Sequence, residues 1–394
     1  MPLPIADQPT GILTLPLLAA LQTPEGDDLL KEAARYTDPL LAVTLLRKRF
    51  AADLVAAAVE MLDLRRRAAA KFVNADRMFF NRESLEQASH GKVATWRAER
   101  FRGVESVADW GCGAGADSLA LAKVTHVIGL DIDPIRVSLA AANARVIGRA
   151  NAEFHVANYL NRPPDAPMIW ADPARRQDGR RTNDPMEYVP ALEQVVAHAG
   201  GRPLGVKVSP AVEADHIPPN VEAEFISVNG ELKEAVFWYG DLRTCQRRAT
   251  VLPEGVTLTP EGELVQTAPP ADVLYDPDPA VTRAGAVKDL GRMLGAWQID
   301  PTIAYLTGYS PIATPFAQTL IIRAWMPWNL KAVKRHLRAQ NMRVEEVRKR
   351  GSAVDTEGVR KALRTDGDTP VILVLTRVEG NPAAILATRW KAEN

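Results

Sequence analysis

The feature that most constrains the fold is a glycine-rich turn between two short apolar segments at residues 107–133. This segment reads V-A-D-W-G-C-G-A-G-A-D-S-L-A-L-A-K-V-T-H-V-I-G-L-D-I-D. An apolar run ends at Asp109, three alternating glycines and a helical pattern follow, and a second apolar run ends at Asp131. The order of strand, glycine turn, helix, strand and acid is typical of the first half of a nucleotide-binding βαβ unit. It predicts an α/β fold.

The residues of this turn indicate what the site could bind. Gly111, Gly113 and Gly115 allow a tight turn and a close approach of backbone N–H groups to a ligand. Asp131 is placed to accept hydrogen bonds from ribose hydroxyls. The glycine spacing also fits a dinucleotide site, so a nicotinamide or flavin cofactor stays open. Asp109 favours S-adenosylmethionine, because a carboxylate there would meet a cationic amino group but repel a pyrophosphate.

Composition excludes several classes of protein. With 394 residues the chain is expected to form two or three domains. Its 48 basic and 48 acidic residues cancel, so an anionic partner must be held by local patches. The cysteines are Cys112 and Cys245, which excludes a disulfide framework and suits the reducing cytoplasm. We expect no metal site, since no ligand spacing is present, and no membrane span, since no apolar run approaches about 20 residues.

The patterns along the chain divide it into four segments. They are a helical region at 1–100, a Rossmann-like domain at 101–245, a proline-rich connector at 246–325 and a small α/β domain at 326–394. Helix starts are predicted at Thr23-Pro24 and Asp38-Pro39, and a helix from Asn81 is expected to run to about Phe101. Further strands are predicted at 154–156, 168–171 and 204–208, a hairpin at Asn229-Gly230, and a helix at 280–294. A closing antiparallel hairpin is not expected in a plain dinucleotide-binding domain.

A second candidate loop follows the fourth predicted strand. It reads Asp172-Pro173-Ala174-Arg175-Arg176. In doubly wound sheets, ligands bind at the carboxyl ends of the strands, so this loop should face the reacting group. Asp172 could instead cap a turn, and Arg175, Arg176, Arg180 and Arg181 could form ion pairs with Asp172, Asp178 and Asp184.

Together these motifs resemble a bacterial family of class I methyltransferases that carry a THUMP-like domain at the C-terminus. The resemblance covers roughly residues 30–394. The motifs that carry it are R-A-E-R-F at 97–101, D-W-G-C-G-A-G at 109–115, D-P-A-R-R at 172–176, G-R-R at 179–181, Y-D-P-D-P-A at 275–280, K-R-G at 349–351 and V-L-T-R-V at 374–378. The resemblance implies a class I methyltransferase sheet and S-adenosylmethionine as cofactor. THUMP domains bind RNA, so it also implies an RNA substrate.

The resemblance also assigns roles to residues. The family places an acid after the third strand to meet the adenine amino group, and here that position is Asn158, whose carbonyl can accept a hydrogen bond. The Asp-Pro-x-x loop resembles the acceptor motif of amino-nitrogen methyltransferases, with Asp172 receiving the amine and Arg175 replacing the usual aromatic residue. The pyrimidine C5 enzymes need a cysteine nucleophile beside this loop, and neither Cys112 nor Cys245 fits. We therefore expect direct, non-covalent transfer.

Two basic groups are candidates for RNA binding. They are Arg176, Arg180 and Arg181 in the acceptor loop, and Lys331, Lys334, Arg335 and Arg338 on a C-terminal helix. The spacing 331, 334, 335 and 338 predicts one face of an ideal helix, although such a run can also be a solvated face. Two alternatives stay open: a binding protein that has lost turnover, and a methyltransferase for small molecules.

Overall fold

The computed structural model describes residues 12–161, 163–177, 180–262 and 265–391, with Arg176 and Gln177 through their backbone only. The chain divides into two compact units. The first consists of Met1–Glu222 and Lys233–Thr244, and the second of Ala223–Leu232 and Cys245–Asn394. No helix of the described ranges is long and apolar enough to cross a membrane.

The first unit begins with helices whose ends follow from local capping. They are α1 (Leu15–Leu21), α2 (Pro24–Ala33), α3 (Pro39–Leu46) and α4 (Ala52–Ala68). Thr23 accepts a hydrogen bond from the Gly26 N–H at the start of α2, and Asp38 accepts one from the Leu40 N–H at the start of α3. These bonds satisfy N–H groups that lack a partner inside the helix. Both predicted helix starts are confirmed.

The helix predicted from Asn81 to about Phe101 is interrupted. The structure has α5 (Arg82–Gln87) and α6 (Gly91–Ala98), and a single 3₁₀ turn follows α6. The Lys71 ammonium donates hydrogen bonds to the carbonyls of Leu85, at 2.7 Å, and Ala88, at 3.0 Å. A cation that binds the last carbonyls of a helix stabilises its end. The prediction of one helix was wrong because a residue of a distant segment supplies this cap.

A mainly parallel sheet forms the rest of the first unit. Its elements, with the start of the following hairpin, are β1 (Ser106–Trp110), α7 (Ala116–Leu121), β2 (His126–Asp131), α8 (Pro134–Val146), β3 (Ala152–Val156), β4 (Met168–Ala171), β5 (Arg176–Gln177), β6 (Arg180–Arg181), α9 (Leu192–Ala199), β7 (Leu204–Val208), β8 (Glu222–Val228) and β9 (Glu231–Tyr239). The strand order is β3-β2-β1-β4-β7-β9, and β9 runs antiparallel to β7. The order reverses between β1 and β4, so their carboxyl ends flank a crevice.

The predicted hairpin turn is confirmed. Asn229 and Gly230, which join β8 to β9, have φ values of 52° and 77°. Two successive residues with positive φ define a type I′ turn, which Asn-Gly favours because neither residue has a large steric penalty there.

The second unit contains the remaining elements. They are β10 (Arg247–Leu252), β11 (Val256–Leu258), β12 (Val273–Pro277), α10 (Pro279–Ala284), α11 (Val287–Leu294), β13 (Trp297–Gln298), β14 (Leu306–Gly308), β15 (Ala317–Pro327), α12 (Leu330–Ala339), β16 (Met342–Lys349), α13 (Thr356–Ala362), β17 (Thr369–Val378) and β18 (Asn381–Arg389). One sheet has the order β13-β14-β12-β15-β18-β17-β16. β10 pairs with β8 and β11.

Two predictions for this region need correction. The segment 246–325 is not a connector, because it contributes β12, β13, β14 and most of β15 to the same sheet as the C-terminal strands. The predicted boundary at 325 falls inside β15, which pairs with β12 on one side and β18 on the other. The predicted helix at 280–294 is divided into α10 and α11 at Gly285, whose φ of 79° ends α10.

The core of the first unit encloses a buried arginine. Arg97 on α6 is 2% exposed and lies over the Trp170 ring, 4.0 Å from its centroid. Its guanidinium is 2.6 Å from the Asp117 carboxylate and 2.8 Å from that of Glu234. These contacts connect α6, α7, β4 and β9. Because each group is buried, loss of the cation would leave two uncompensated carboxylates.

We expect Arg97→Met to lower the free energy of unfolding by about 3 to 5 kcal/mol, the usual cost of removing one partner from a buried ion pair. Urea unfolding followed by circular dichroism measures this difference. The matched control is Arg102→Met, which breaks an exposed pair with Glu99 and should leave stability nearly unchanged. Equal stability of the two variants would contradict the structural role of Arg97.

Candidate active site

A cavity of about 240 Å³ lies in the first unit, at the carboxyl ends of β1 and β4. Of the predicted site residues, its lining includes Gly111, Gly113, Asp131, Asn158, Asp172, Arg175 and Arg181. A larger cavity of about 1090 Å³ is lined mainly by the N-terminal helices and by none of the predicted site residues. The smaller cavity is therefore the candidate site, because it brings together residues from separate motifs.

Backbone contacts hold the two central loops together. The Asp172 N–H donates to the Trp110 carbonyl at 3.0 Å. Gly111 has a φ of 84°, and a Cβ built on it would lie 2.8 Å from the Asp172 carbonyl oxygen. A side chain would therefore be strained at this position and would collide with the neighbouring loop. Glycine is required here both by the backbone conformation and by the close approach of the acceptor loop.

The acid at the end of β2 closes the glycine turn. One oxygen of Asp131 accepts a hydrogen bond from the Gly113 N–H and the other accepts one from the Asp133 N–H, each at 3.0 Å. Burial raises the pKa of the Asp131 carboxyl above its usual range, although Arg136 and these N–H groups oppose the shift. Each carboxylate oxygen can accept more than one hydrogen bond. Asp131 therefore keeps acceptor capacity on the cavity side, as a ribose-binding residue requires.

Asp109 and Gly115 do not line the cavity, although the sequence placed both with the cofactor-binding residues. The Asp109 side chain is 1% exposed and accepts a hydrogen bond from the Ser118 hydroxyl. Burial, with Asp117 nearby, raises the pKa of the Asp109 carboxyl to about 8. Gly115 caps α7 with a φ of 88°, and a Cβ there would lie 3.1 Å from the Ala140 Cβ. Both residues support the turn from behind.

The loop after β3 contributes a predicted residue and one that sequence reasoning missed. Asn158 lines the cavity, but its side-chain oxygen already accepts a hydrogen bond from the Leu160 N–H at 2.9 Å. Tyr159 is 7% exposed and stacks on Trp110, with ring centroids 4.7 Å apart. Its hydroxyl is buried and has no hydrogen-bond partner in the described part of the chain. A buried unpaired hydroxyl is costly, so this group is a candidate to bind a ligand.

The acceptor loop is organised by a lysine. The Asp172 carboxylate pairs with the Lys207 ammonium at 2.7 Å, and not with one of the neighbouring arginines. Arg175 lines the cavity, and its Nη1 atom is buried without a hydrogen-bond partner in the described residues. Arg181 also lines the cavity, and Arg180 is exposed. Arg176 pairs with Arg181 through the backbone of β5 and β6, whereas its side chain and Asp178 lie outside the described residues.

The second unit carries the other predicted basic group on α12. Lys331, Arg335 and Arg338 are exposed, whereas Val333 and Leu337 on the opposite face are buried. Lys334 differs from the other predicted cations. It is half-buried, and its ammonium donates a hydrogen bond to the Ala362 carbonyl at the end of α13, at 2.7 Å. The prediction of one four-residue basic face is therefore corrected to three residues.

The cysteines have no feature of a nucleophile. Cys112 is buried, and burial raises the pKa of its thiol well above its ordinary value. The thiolate is the nucleophilic form, so this thiol is held in its unreactive form. The Cys245 sulfur lies 3.3 Å from the Arg247 carbonyl oxygen. In the described ranges, no group of three His, Cys, Asp or Glu side chains is arranged to hold a metal ion.

Three protein families match the chain. Residues 104–167 match a methyltransferase domain, residues 317–389 match a THUMP domain-like family, and residues 14–68 match a domain of unknown function. The methyltransferase match covers β1 to the loop after β3, and the THUMP-like match covers β15 to β18. Sequence relatives and a solved structure extend these matches.

An uncharacterised S-adenosylmethionine-dependent methyltransferase from two Mycobacterium tuberculosis strains, H37Rv and CDC 1551, is 32% identical over 346 residues. The match covers 84% of this chain and 95% of the relative. A crystal structure of a protein designated a methyltransferase, from Porphyromonas gingivalis W83, superposes with a TM-score of 0.76 at 18% identity. It covers 93% of this chain and 98% of the other chain. This second similarity shows a shared fold.

We expect Gly111→Ala to weaken S-adenosylmethionine binding at least tenfold, because the added Cβ strains the turn and meets the Asp172 carbonyl. Isothermal titration calorimetry measures the dissociation constant. Gly148→Ala is the matched control, since Gly148 also has a positive φ, of 71°, but a Cβ there meets no atom within 4 Å. Equal loss of affinity in both variants would show that strain alone, and not the site, is responsible.

The residues that line the cavity fit the cofactor of these relatives. The glycine turn leaves space where side chains would otherwise project, Asp131 offers carboxylate oxygens for hydroxyl groups, and Tyr159 offers a buried hydroxyl that lacks a partner. S-adenosylmethionine carries the ribose hydroxyls and polar groups that these residues can bind. On the identity and coverage of its relatives and on this site, the chain belongs to the S-adenosylmethionine-dependent methyltransferases.

Proposed function

We propose that this methyltransferase modifies RNA at a nitrogen atom, by direct transfer without a covalent enzyme intermediate. The observation that carries the proposal is the position of Asp172. Its carboxylate lines the cavity directly beside the glycine turn, and the two loops are joined by the hydrogen bond from the Asp172 N–H to the Trp110 carbonyl. A group held at this carboxylate is adjacent to the cofactor-binding residues.

The side chains divide the work of the reaction. Bound S-adenosylmethionine supplies an electrophilic methyl carbon, whose bond to sulfur breaks, with the electron pair on sulfur, as the nitrogen lone pair attacks. Gly111 and Gly113 allow the cofactor to approach the backbone, and Asp131 binds its ribose hydroxyls. Asp172 accepts an N–H hydrogen bond from the acceptor amine, which orients the nitrogen lone pair towards the methyl group. Arg175 stacks on the acceptor base or contacts a phosphate.

A nitrogen acceptor agrees with the absence of a suitable thiol. Methylation at pyrimidine C5 requires a cysteine that adds to the ring. The buried Cys112 thiol has a raised pKa, and it lies in the glycine turn. A carboxylate is the suitable group for an exocyclic amine, because it accepts the hydrogen bond that an N–H donates.

RNA as the substrate is supported by the second unit. Its residues 317–389 match the THUMP domain-like family, and α12 in this range exposes Lys331, Arg335 and Arg338. In a chain with no net charge, such local groups must supply the attraction to phosphate. We also place the protein in the cytoplasm, where RNA is present and where free thiols such as Cys245 stay reduced.

A strain that lacks the protein is expected to lose one methylated nucleoside from its total RNA, and mass spectrometry of digested RNA identifies it. Restoring the wild type should restore the nucleoside. Asp172→Asn should lower the rate of methylation at least tenfold, with less than a threefold change in S-adenosylmethionine affinity, because the carboxylate contacts the acceptor.

Cys112→Ser and Cys245→Ser are the controls, and each should keep turnover. A cysteine variant that is folded and binds cofactor but is inactive would refute non-covalent transfer. Identical nucleosides in the deletion strain and its parent would refute RNA as the substrate.

The double variant Arg335→Glu, Arg338→Glu should weaken RNA binding, because each lost phosphate contact lowers the salt dependence of log K by about one unit. Filter binding across a salt series measures the affinity and the slope. Lys361→Glu is the matched control, because Lys361 is exposed on α13 but lies outside the α12 group. If the double variant keeps the wild-type affinity and slope, α12 is a solvated face and not an RNA contact.

A further inference from the structure

A lysine lies inside the parallel sheet, next to the acceptor loop. Lys207 occupies the fourth position of β7, and all five residues of this strand are buried. Its side chain is 5% exposed and lines the candidate cavity. Burying an ammonium group is costly unless other groups compensate its charge. The contacts of Lys207 therefore indicate why a cation is present at this position.

Two groups compensate this charge directly. The Lys207 ammonium donates to the Asp172 carboxylate at 2.7 Å and to the Ser89 hydroxyl at 3.0 Å. Ser89 lies in the break between α5 and α6, and its hydroxyl donates to Asp117 at 2.9 Å. An ammonium in hydrogen-bond contact with a carboxylate forms a strong, oriented pair. Lys207 thus fixes the position of one oxygen of Asp172.

The network continues away from the cavity. Asp117 binds Arg97, and Arg97 also binds Glu234. The network therefore contains two cations and three carboxylates. Of these five side chains, Asp172 is the most exposed, at 24%, whereas Lys207, Arg97, Asp117 and Glu234 range from 3% to 10%. Asp172 is thus the end of the network that a substrate can reach.

We propose that Lys207 is a positioning residue of the methyl transfer, which keeps Asp172 ionised and in one orientation so that its free oxygen accepts the N–H of the acceptor. This inference rests on the proposed function, because it specifies how Asp172 receives a nitrogen. Within the described residues, Lys207 is the side chain that contacts the Asp172 carboxylate. The ammonium occupies Oδ2, which leaves Oδ1 for the substrate.

The charge of the lysine determines what Asp172 can do. A protonated carboxyl would donate a hydrogen bond instead of accepting one, and would misdirect the amine. Asp117 and Glu234 favour that neutral form by repulsion, and Lys207 opposes them. As the nitrogen forms its bond to carbon, the proton it gives up passes to water, because Lys207 stabilises the anionic form of Asp172.

A double-mutant cycle tests the coupling. Lys207→Met, Asp172→Asn and the combined variant are compared in the transfer of tritiated methyl groups to total RNA from a strain that lacks the protein. We expect Lys207→Met to lower kcat at least tenfold, with a change in S-adenosylmethionine Kd below threefold. If Lys207 acts through Asp172, the combined variant is no slower than Asp172→Asn alone. Losses that multiply in the combined variant would overturn the proposal.

Two further variants separate charge from packing. Lys207→Arg keeps the cation and should recover at least a third of the activity that Lys207→Met loses. Lys123→Met is the matched control, because Lys123 is exposed in the same unit and donates to Thr95 outside the cavity. It should match the wild type. If Lys207→Arg is as slow as Lys207→Met while both melt at the wild-type temperature, the role of the charge is refuted.

A spectroscopic measurement tests the same inference without turnover. ¹³C NMR of protein labelled at the aspartate carboxyl carbons follows ionisation, and the Asp172 signal is identified by its absence in Asp172→Asn. The groups that surround this carboxylate are Lys207 on β7, Arg97 on α6, Asp117 on α7, Glu234 on β9, Asp109 on β1, and Arg175, Tyr159 and Tyr188 on loops. Of these, Lys207 is the cation in contact with it.

Removing the lysine disfavours the charged form, so the Asp172 resonance of Lys207→Met should titrate at least one pH unit higher than that of the wild type. An unchanged midpoint would overturn the proposal. This arm remains decisive if the wild type transfers no methyl group to RNA, and in that case the proposed substrate alone fails.

Discussion

The burial of Arg97 between two carboxylates is the interaction on which the methyltransferase unit depends. A guanidinium cannot lose its charge under ordinary conditions, so the fold must compensate it. Asp117, Glu234 and the Trp170 ring do so from three different elements. The same network reaches Ser89, Lys207 and Asp172, which makes the position of the acceptor carboxylate depend on the core. An ion network of this kind contributes less to net stability than to the choice of one arrangement over others.

The strand order explains why the cavity lies where it does. Because the order reverses between β1 and β4, the loops that follow these strands separate and leave a crevice. The glycine turn forms one wall and the Asp172 loop forms the other, and Gly111 is the position at which they come closest. The two motifs are about sixty residues apart in the chain, yet the parallel sheet places both at the same edge. Chemistry at this edge therefore needs no additional element.

The second unit is organised by its sheet, in which β15 pairs with β12 and β18. The helix α12 buries Val333 and Leu337 and exposes cations on its other face. This amphipathic arrangement presents charge without burying it, so the cations keep their hydration and stay available to an anionic partner. Lys334 shows how the same helix uses a cation structurally, because its ammonium binds the last turn of α13.

The sequence by itself determined the local elements and the class of the fold. Helix starts at Thr23 and Asp38, the Asn229-Gly230 turn and the alternating glycines depend on a few neighbouring residues, and such signals can be read directly. The same signals placed Gly111, Asp131 and Asp172 at one site, because parallel strands bring their carboxyl ends to one edge. The resemblance added the family and the cofactor, which the relatives confirm.

Only the tertiary structure decided which polar groups face the cavity and which face the core. Asp109 turns inwards to Ser118, whereas Lys207, inside an apolar strand, reaches the cavity through Asp172. The break that exposes Ser89 depends on Lys71, and the segment ahead of residue 326 joins the C-terminal sheet through β15. These outcomes depend on partners far away in the chain. The desolvation of a charge is decided by such contacts, and a local pattern of residues does not specify them.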